Sequence, residues 1–278
     1  MQKKTILKSD GTSTYTSQDL GTAQMRYDDY QAEKVVYVVG DEQISHFQGV
    51  FEILKRLEEP YAEGLYHLAY GMVDLPTGRM KSREGTVVDA DDLVAEVIAE
   101  AQKSALERGE LVDLTKAEQA DTFRQIGLGA LKYFILKVNA KKRMVFNPQE
   151  SVEMQGNTGP YVQYACVRCS GVARKAPDVN MALSTDYTAL QSQEKDLILK
   201  ISQYPALIEE AALAYDPAVL AAFAYDLAKL YNKFYHDINI LKSESEAAKA
   251  FRLKLSAVVA RTLKSAMHLL GMEVPPRM

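Results

Sequence analysis

No run of about 18 consecutive apolar residues occurs in the 278-residue sequence, which leaves no candidate for a membrane-spanning helix. The first residues, Met1-Gln2-Lys3-Lys4-Thr5, carry no apolar segment of the signal-peptide kind, so a cytoplasmic location without membrane contact is expected. Cysteine is scarce. The two present, Cys166 and Cys169, form one C-x-x-C, and the four histidines are scattered with no second pair to complete a tetrahedral zinc site. No protein-bound metal is therefore expected, and the thiols read as core residues. An excess of one charge is missing too: at a net charge of -4 the chain has no global field to draw in nucleic acid, so RNA contact would rest on local basic faces. Internal repeats and low-complexity tracts are also absent.

What is present suffices for a sizeable core. Hydrophobic residues make up 47% of a chain whose length allows one or two domains. Its character changes near Gly85. Before that point Lys34 to Val39 is a β-branched run closed by Gly40, which suits a buried parallel strand. Ile44 to Leu57 has helical periodicity through Phe47, Val50, Phe51, Leu54 and Leu57, and Leu65 to Val73 is a second strand candidate. Helix, strand, helix, strand at crossover spacing marks a doubly wound α/β unit. Beyond Gly85 helical patterns follow at Asp92–Leu111, Lys116–Lys137, Pro160–Lys175, Glu194–Leu213, Pro217–Ile238 and Glu246–Leu270, with loops near Asn147-Pro148, Pro177–Thr185, Asp216-Pro217 and Gly271. The expected class is α/β then all-α, with an α/β part over 1–90 and a helical part over 91–278.

The segment Glu153-Met154-Gln155-Gly156-Asn157-Thr158-Gly159-Pro160-Tyr161-Val162-Gln163-Tyr164-Ala165-Cys166-Val167-Arg168 joins a Gly/Pro turn to a helix that Thr158 can cap, with Pro160 in its first turn. At about 100° per residue, Tyr161, Tyr164 and Arg168 fall within roughly a 60° arc beside an apolar face of Val162, Ala165, Cys166, Cys169 and Ala173. Two phenol rings beside a guanidinium can stack an unpaired base and bind its phosphate; the same tyrosines could equally sit at the edge of a core. Lys254, Arg261, Lys264 and His268 form a basic stripe of about 80° on the last helix, opposite a core face expected to include Phe251, Val258 and Leu269. Solvated helix faces carry similar stripes. Arg79-Met80-Lys81-Ser82-Arg83, flanked by Gly78 and Gly85, concentrates three cations on a turn where phosphate could be met. Asp19 could be a first-turn acid after a Thr16 or Ser17 cap.

The run from Gly156 to Arg168, with Arg174-Lys175-Ala176, resembles the opening of the anticodon-binding domain of the arginyl-tRNA synthetases, a class I family. Further matches follow in that family's order. Asp10-Gly11-Thr12-Ser13-Thr14-Tyr15-Thr16-Ser17-Gln18-Asp19-Leu20 resembles its DGTxxYxTRD segment, and Tyr37 to His46 its strand and turn ending in Gln and His. Gly71-Met72-Val73 and Met80-Lys81-Ser82-Arg83-Glu84-Gly85 are similar to its second signature loop, and Arg277-Met278 to its last two residues. The loop departs from the common class I form Lys-Met-Ser-Lys-Ser, and no His-x-Gly-His motif is present.

The resemblance implies the second half of a class I nucleotide-binding, Rossmann-like fold followed by an anticodon-binding helical bundle. It implies an arginine-tRNA ligase that uses ATP as its Mg2+ complex, with arginine and its tRNA as partners and a monomeric parent. On this likeness Tyr15, Asp19 and Gln43 hold the substrate arginine, His46, Met72 and Val73 bind ATP, and Lys81, Ser82 and Arg83 are catalytic. Tyr161, Gln163, Tyr164, Arg168, Tyr235, Lys264 and Met278 bind tRNA. Without the His-x-Gly-His half of the active site, the chain is expected to be the carboxy-terminal portion of a longer enzyme and inactive alone. The alternatives are a non-catalytic tRNA-binding helical module and a cysteinyl-tRNA synthetase, the latter disfavoured by the missing zinc ligands.

Overall fold

The β-branched run does form a strand. In the computed structural model, which describes residues 4–74, 76, 89–108, 111, 113–180 and 190–278, the chain splits into two units. The first runs to Val73 and takes in Ala140–Met144; the second comprises Asp74–Asn139 and Val145–Met278. The change of character expected near Gly85, and the domain boundary expected at residue 90, thus compare with a unit division at Val73.

In the first unit, α1 (Tyr15–Tyr30) follows Thr14, an extended residue at the N-cap whose N–H donates to Ser17 Oγ at 3.4 Å. The helix begins earlier than a Thr16 or Ser17 cap would allow, so Asp19 is not in the first turn and its alternative as a helix-start acid lapses. Strand β1 (Val35–Gly40) leads through a tight turn at Asp41–Gln43 into α2 (Ile44–Arg56), and β2 (Leu65–Tyr70) returns parallel to β1, in register from Val35↔Leu65 to Gly40↔Tyr70. Period-2 alternation turns Tyr37 toward α2, its ring 5.1 Å from Phe47 and 5.4 Å from Phe51. Ala23, Val50, Leu54, Tyr61 and Ala62 form the small core between α1 and α2. The strand is not buried on both sides as expected: Val36 is 37% and Val38 62% exposed on the face away from α2. The second strand candidate ends at Tyr70, and Val73–Asp74 (β3) pairs instead with Met144–Val145 (β4).

The second unit is helical: α3 (Ala90–Glu107), α4 (Lys116–Leu136), the single turn α5 (Pro148–Ser151), α6 (Gly159–Arg174), α7 (Ser192–Ser202), α8 (Tyr204–Ala214), α9 (Ala218–Asp237) and α10 (Glu246–Leu269). Side chains of Asp89, Thr115, Asn147, Thr158 and Ser245 cap five of these, each accepting a first-turn N–H. The helix expected over Glu194–Leu213 is two, because Pro205 in the first turn of α8 has no N–H to continue the ladder of α7. Helices α6, α9 and α10 enclose the main core, with Val162, Cys166, Leu227, Tyr231, Val259 and Leu263 fully buried.

Helices α4 and α6 meet at backbone range. A Cβ on Gly159 would lie 2.5 Å from the carbonyl oxygen of Gly129, and one on Gly129 would lie 2.5 Å from the amide nitrogen of Gln163. Gly127, on nearly the opposite face of α4, gives α3 a similar approach, where an added Cβ would lie 2.9 Å from Ile98 Cα. A buried charge cluster joins α7 to α10: Arg252 Nε donates to Glu194 Oε1 at 2.7 Å, and its terminal nitrogens donate to Glu244 at 2.7 and 2.8 Å. Arg252 and Glu194 are 3% and 2% exposed, so neither charge meets water and each depends on the other.

Two glycines of α6 should respond oppositely to alanine. Gly159→Ala collides with backbone and should lower unfolding free energy by about 1–3 kcal/mol. Gly171, whose added Cβ would come no nearer than 3.6 Å to the flexible end of Arg174, should gain up to about 1 kcal/mol from helix propensity. Urea unfolding of both variants measures the difference, and equal effects would refute the close crossing.

Candidate functional site

Tyr15 and Asp19 are four residues apart on α1 and so share one face. Gln43 closes the turn after β1, and His46 lies in the first turn of α2. The four line one cavity of about 370 Å³, walled on its apolar side by Val39 and Phe47. It opens beyond the carboxyl end of β1, where parallel α/β sheets place ligands. Asp19 Oδ2 is 2.6 Å from His46 Nε2. An ionised carboxylate only accepts, so that imidazole nitrogen carries the proton. The ring of His46 sits edge-on to Phe47 at 5.3 Å. Among the described residues no other donor reaches Asp19, and the Tyr15 hydroxyl and Gln43 amide have no partners, leaving one anion and two neutral polar groups turned toward the space. Such a set suits a planar cation with several N–H donors.

The other expected residues of this unit lie elsewhere. Met72 is 41% exposed and Val73 half-buried in β3; neither lines the cavity. Lys81, Ser82 and Arg83 fall outside the described residues.

On the helical unit, Tyr164, Arg168 and Tyr235 come together. The guanidinium carbon of Arg168 is 4.7 Å from the ring centre of Tyr164 and 5.1 Å from that of Tyr235, so the cation lies against both rings. Its Nη1 donates to Asn232 Oδ1 at 2.6 Å. Asn232 escaped the sequence analysis, although it sits three residues before Tyr235 and hence on the same face of α9. Tyr161 departs from this group: it packs on the main core, its ring 5.5 Å from Tyr225. Gln163 is a correction. It is fully buried, and its Nε2 donates to the carbonyls of Gln125 at 3.0 Å and Glu273 at 2.8 Å, which makes it a tie between α6, α4 and the carboxy-terminal tail rather than a group that can touch RNA. Met278 packs partly buried against Ala101, Ile126, Ala130 and Val152.

Arg261, Lys264 and His268 are exposed on α10 and Lys254 is half-buried. Of the core face expected opposite them, Phe251 packs partly buried against the main core but Leu269 is 52% exposed, while Leu263, Ala266 and Met267 are fully buried, so the buried face is centred about 100° round the helix from the expected one. Cys166 and Cys169 are buried; burial pushes the Cys166 thiol up to about 11 and that of Cys169 well above its ordinary value. Among the described residues no group of three or more His, Cys, Asp or Glu could hold a metal ion, and no helix is long and apolar enough to cross a membrane.

Two family models cover most of the chain. That of the class I tRNA synthetase catalytic domain of the arginine type matches residues 1–147, and that of the DALR anticodon-binding domain matches residues 162–278. The chain belongs to the arginyl-tRNA synthetase family. The arginine-tRNA ligase of Parabacteroides distasonis is 49% identical over the whole chain, and that of Bacteroides thetaiotaomicron 48%; each match covers 47% of the relative. This arginyl-tRNA synthetase family member therefore spans about half the length of the curated relatives it matches. The solved Thermus thermophilus arginyl-tRNA synthetase superposes with a TM-score of 0.87 at 27% identity, over 98% of this chain and 50% of that one. The fold is thus a portion of the class I catalytic domain joined to a DALR helical domain.

The buried thiols give a direct check on the core. Because alkylation consumes thiolate and burial holds both thiols neutral, iodoacetamide at pH 8 should leave Cys166 and Cys169 unmodified in the native chain and label both in denaturant. Mass spectrometry after brief exposure reads the result; rapid native labelling would contradict the placement of α6.

Proposed function

We propose that the chain takes part in the ATP-dependent attachment of arginine to its tRNA, in combination with the remaining half of the relatives' length. The observation that carries this is the meeting of Tyr15, Asp19 and Gln43 in one cavity at the end of a parallel strand. A guanidinium needs a carboxylate to pair with its charge and neutral acceptors for its other N–H groups, and these three side chains supply that set. A module that only bound RNA would have no use for it.

In the reaction the arginine carboxylate attacks the α-phosphate of ATP and pyrophosphate leaves, and a tRNA hydroxyl then takes the arginyl group from the resulting adenylate, releasing AMP. Binding the side chain in the cavity fixes the attacking carboxylate in place. Lys81, Ser82 and Arg83 are proposed to bind the charge developing on the phosphates, which accelerates the step only as far as they bind the transition state better than the ground state. Met72 and Val73 are proposed to lie against the adenine, and ATP to enter as its Mg2+ complex. Tyr164, Arg168 and Tyr235, with Lys264 on α10, are proposed to face the anticodon arm, and Tyr161 and Met278 to border that surface. A monomer in the cytoplasm fits this role.

Asp19→Asn keeps the shape and removes the charge. With the remaining half of the enzyme supplied, kcat/KM for arginine in pyrophosphate exchange should fall by about 2–4 kcal/mol in transition-state terms while KM for ATP stays near the parent value. Unchanged arginine kinetics would remove Asp19 from the substrate site. The 278-residue chain alone should show no exchange.

The helical unit can be tested in the chain as it stands. It should bind arginine tRNA weakly, and more weakly as salt rises, because lysine and arginine contacts release counterions. Tyr164→Ala should cost roughly 1–3 kcal/mol and harm arginine tRNA more than a tRNA with another anticodon. Lys264→Ala should weaken both alike and lower the salt slope by about one unit. If a folded Tyr164→Ala variant binds both tRNAs like the parent, Tyr164 is an edge-of-core residue only.

A further inference from the structure

We infer that His46 is a positioning residue for the substrate-binding carboxylate of Asp19. This rests on the proposed arginine site and assigns within it a role the sequence had given elsewhere. The imidazole comes from α2 and the carboxylate from α1, and they meet at 2.6 Å on the cavity wall, with side-chain exposures of 20% and 39%. The ring also packs against Phe47, nearly perpendicular to it at 5.3 Å, and Phe47 is itself buried against Tyr37 and His67. The imidazole therefore has little freedom, and the bond from Nε2 to Oδ2 transmits that rigidity to a carboxylate with no other partner among the described residues. One lone-pair direction of Oδ2 is taken by His46, the other and both of Oδ1 are left for the ligand, and the plane of the carboxylate is set. With Nε2 engaged on Asp19, only Nδ1 remains to meet anything else.

The plane matters because of what it selects. A guanidinium is a rigid planar fork whose N–H pairs bond a carboxylate well only when the two planes align, whereas an ammonium can rotate its three donors to suit an acceptor of any orientation. A freely turning Asp19 would still attract lysine by charge but would lose its preference for arginine. Fixing the carboxylate ahead of binding also avoids ordering it afterwards. Gln43, three residues before His46, is placed by the same turn of chain, so one element sets both a neutral acceptor and the orientation of the charged one.

The test titrates the chain with L-arginine and with L-lysine while following backbone amide signals of α1 and α2 by NMR, which reads millimolar affinities. The variants are His46→Ala, His46→Asn, whose amide retains a donor, and Asp19→Asn; circular dichroism confirms that each is folded. His46→Ala should weaken arginine about ten-fold, the loss of one hydrogen bond to a charged group, and lysine by much less, so that the preference collapses. His46→Asn should recover part of it. A structural role alone would shift both ligands equally and gain nothing from asparagine. If His46→Ala binds arginine with the affinity and preference of the parent while Asp19→Asn does not, the positioning role falls and the arginine site stands. If Asp19→Asn also matches the parent, or the parent shows no preference for arginine, both fall.

Discussion

The contact between α4 and α6 at Gly129 and Gly159 sets the geometry of the helical unit. With no Cβ on either side, the first turn of α6 lies against the backbone of α4, and every residue further along α6 takes its orientation from that point. Gln163, one turn on, lies in the space beside Gly129, within reach of backbone carbonyls. Its amide donates to two of them and so ties the carboxy-terminal tail to both helices. Tyr133 on α4 reinforces the junction, its single hydroxyl proton lying within reach of Asn157 Oδ1 at 2.6 Å and of the carbonyl oxygen of Ala221 at 2.9 Å. The apolar face of α6 then meets α9 and α10, and Tyr164 and Arg168 are left at the rim beside Tyr235.

The tail depends on the same junction. Glu273 offers its carbonyl to Gln163 and its carboxylate to Arg124 at 3.0 Å, and Lys132 reaches the carbonyl of Gly271. These bonds bring Met278 back to α3, α4 and α5. At the far end of the unit the constraint is electrostatic. Arg252 and Glu194 out of water contribute little net stability compared with an apolar pair of the same shape, yet either alone would be strongly destabilising. Such a pair fixes which turn of α7 faces which turn of α10.

Much of this was legible in the sequence where a single element decided the outcome. The four-residue interval of Tyr15 and Asp19 places them on one helix face whatever surrounds them, and the cap at Thr158 acts on its own first turn. Pro205 carried its message too, but the apolar periodicity on either side outweighed it. What stayed hidden depends on distant partners. The burial of Gln163 follows from carbonyls at Gln125 and Glu273, and the Arg252 cluster from acids in two other segments; neither leaves a periodic trace. Val36 and Val38 read as buried because β-branched runs suit covered strands, whereas only one face of this sheet is packed among the described residues. The cavity is intermediate: spacing joined Tyr15 to Asp19, but only the resemblance joined them to Gln43, and only the coordinates showed His46 on Asp19.

The contact of Arg168 with two phenol rings also bears on how sequence variation at that position is to be judged. Lysine keeps the charge and nearly the length, and by most substitution scales would count as a mild change. The rings, however, hold a flat, weakly hydrated group, and Asn232 accepts from one corner of it. A compact ammonium keeps its water shell and has no planar face to set against a ring. Arginine and lysine at position 168 are therefore physically different residues, and a variant with lysine there belongs with the disruptive changes, not the tolerated ones.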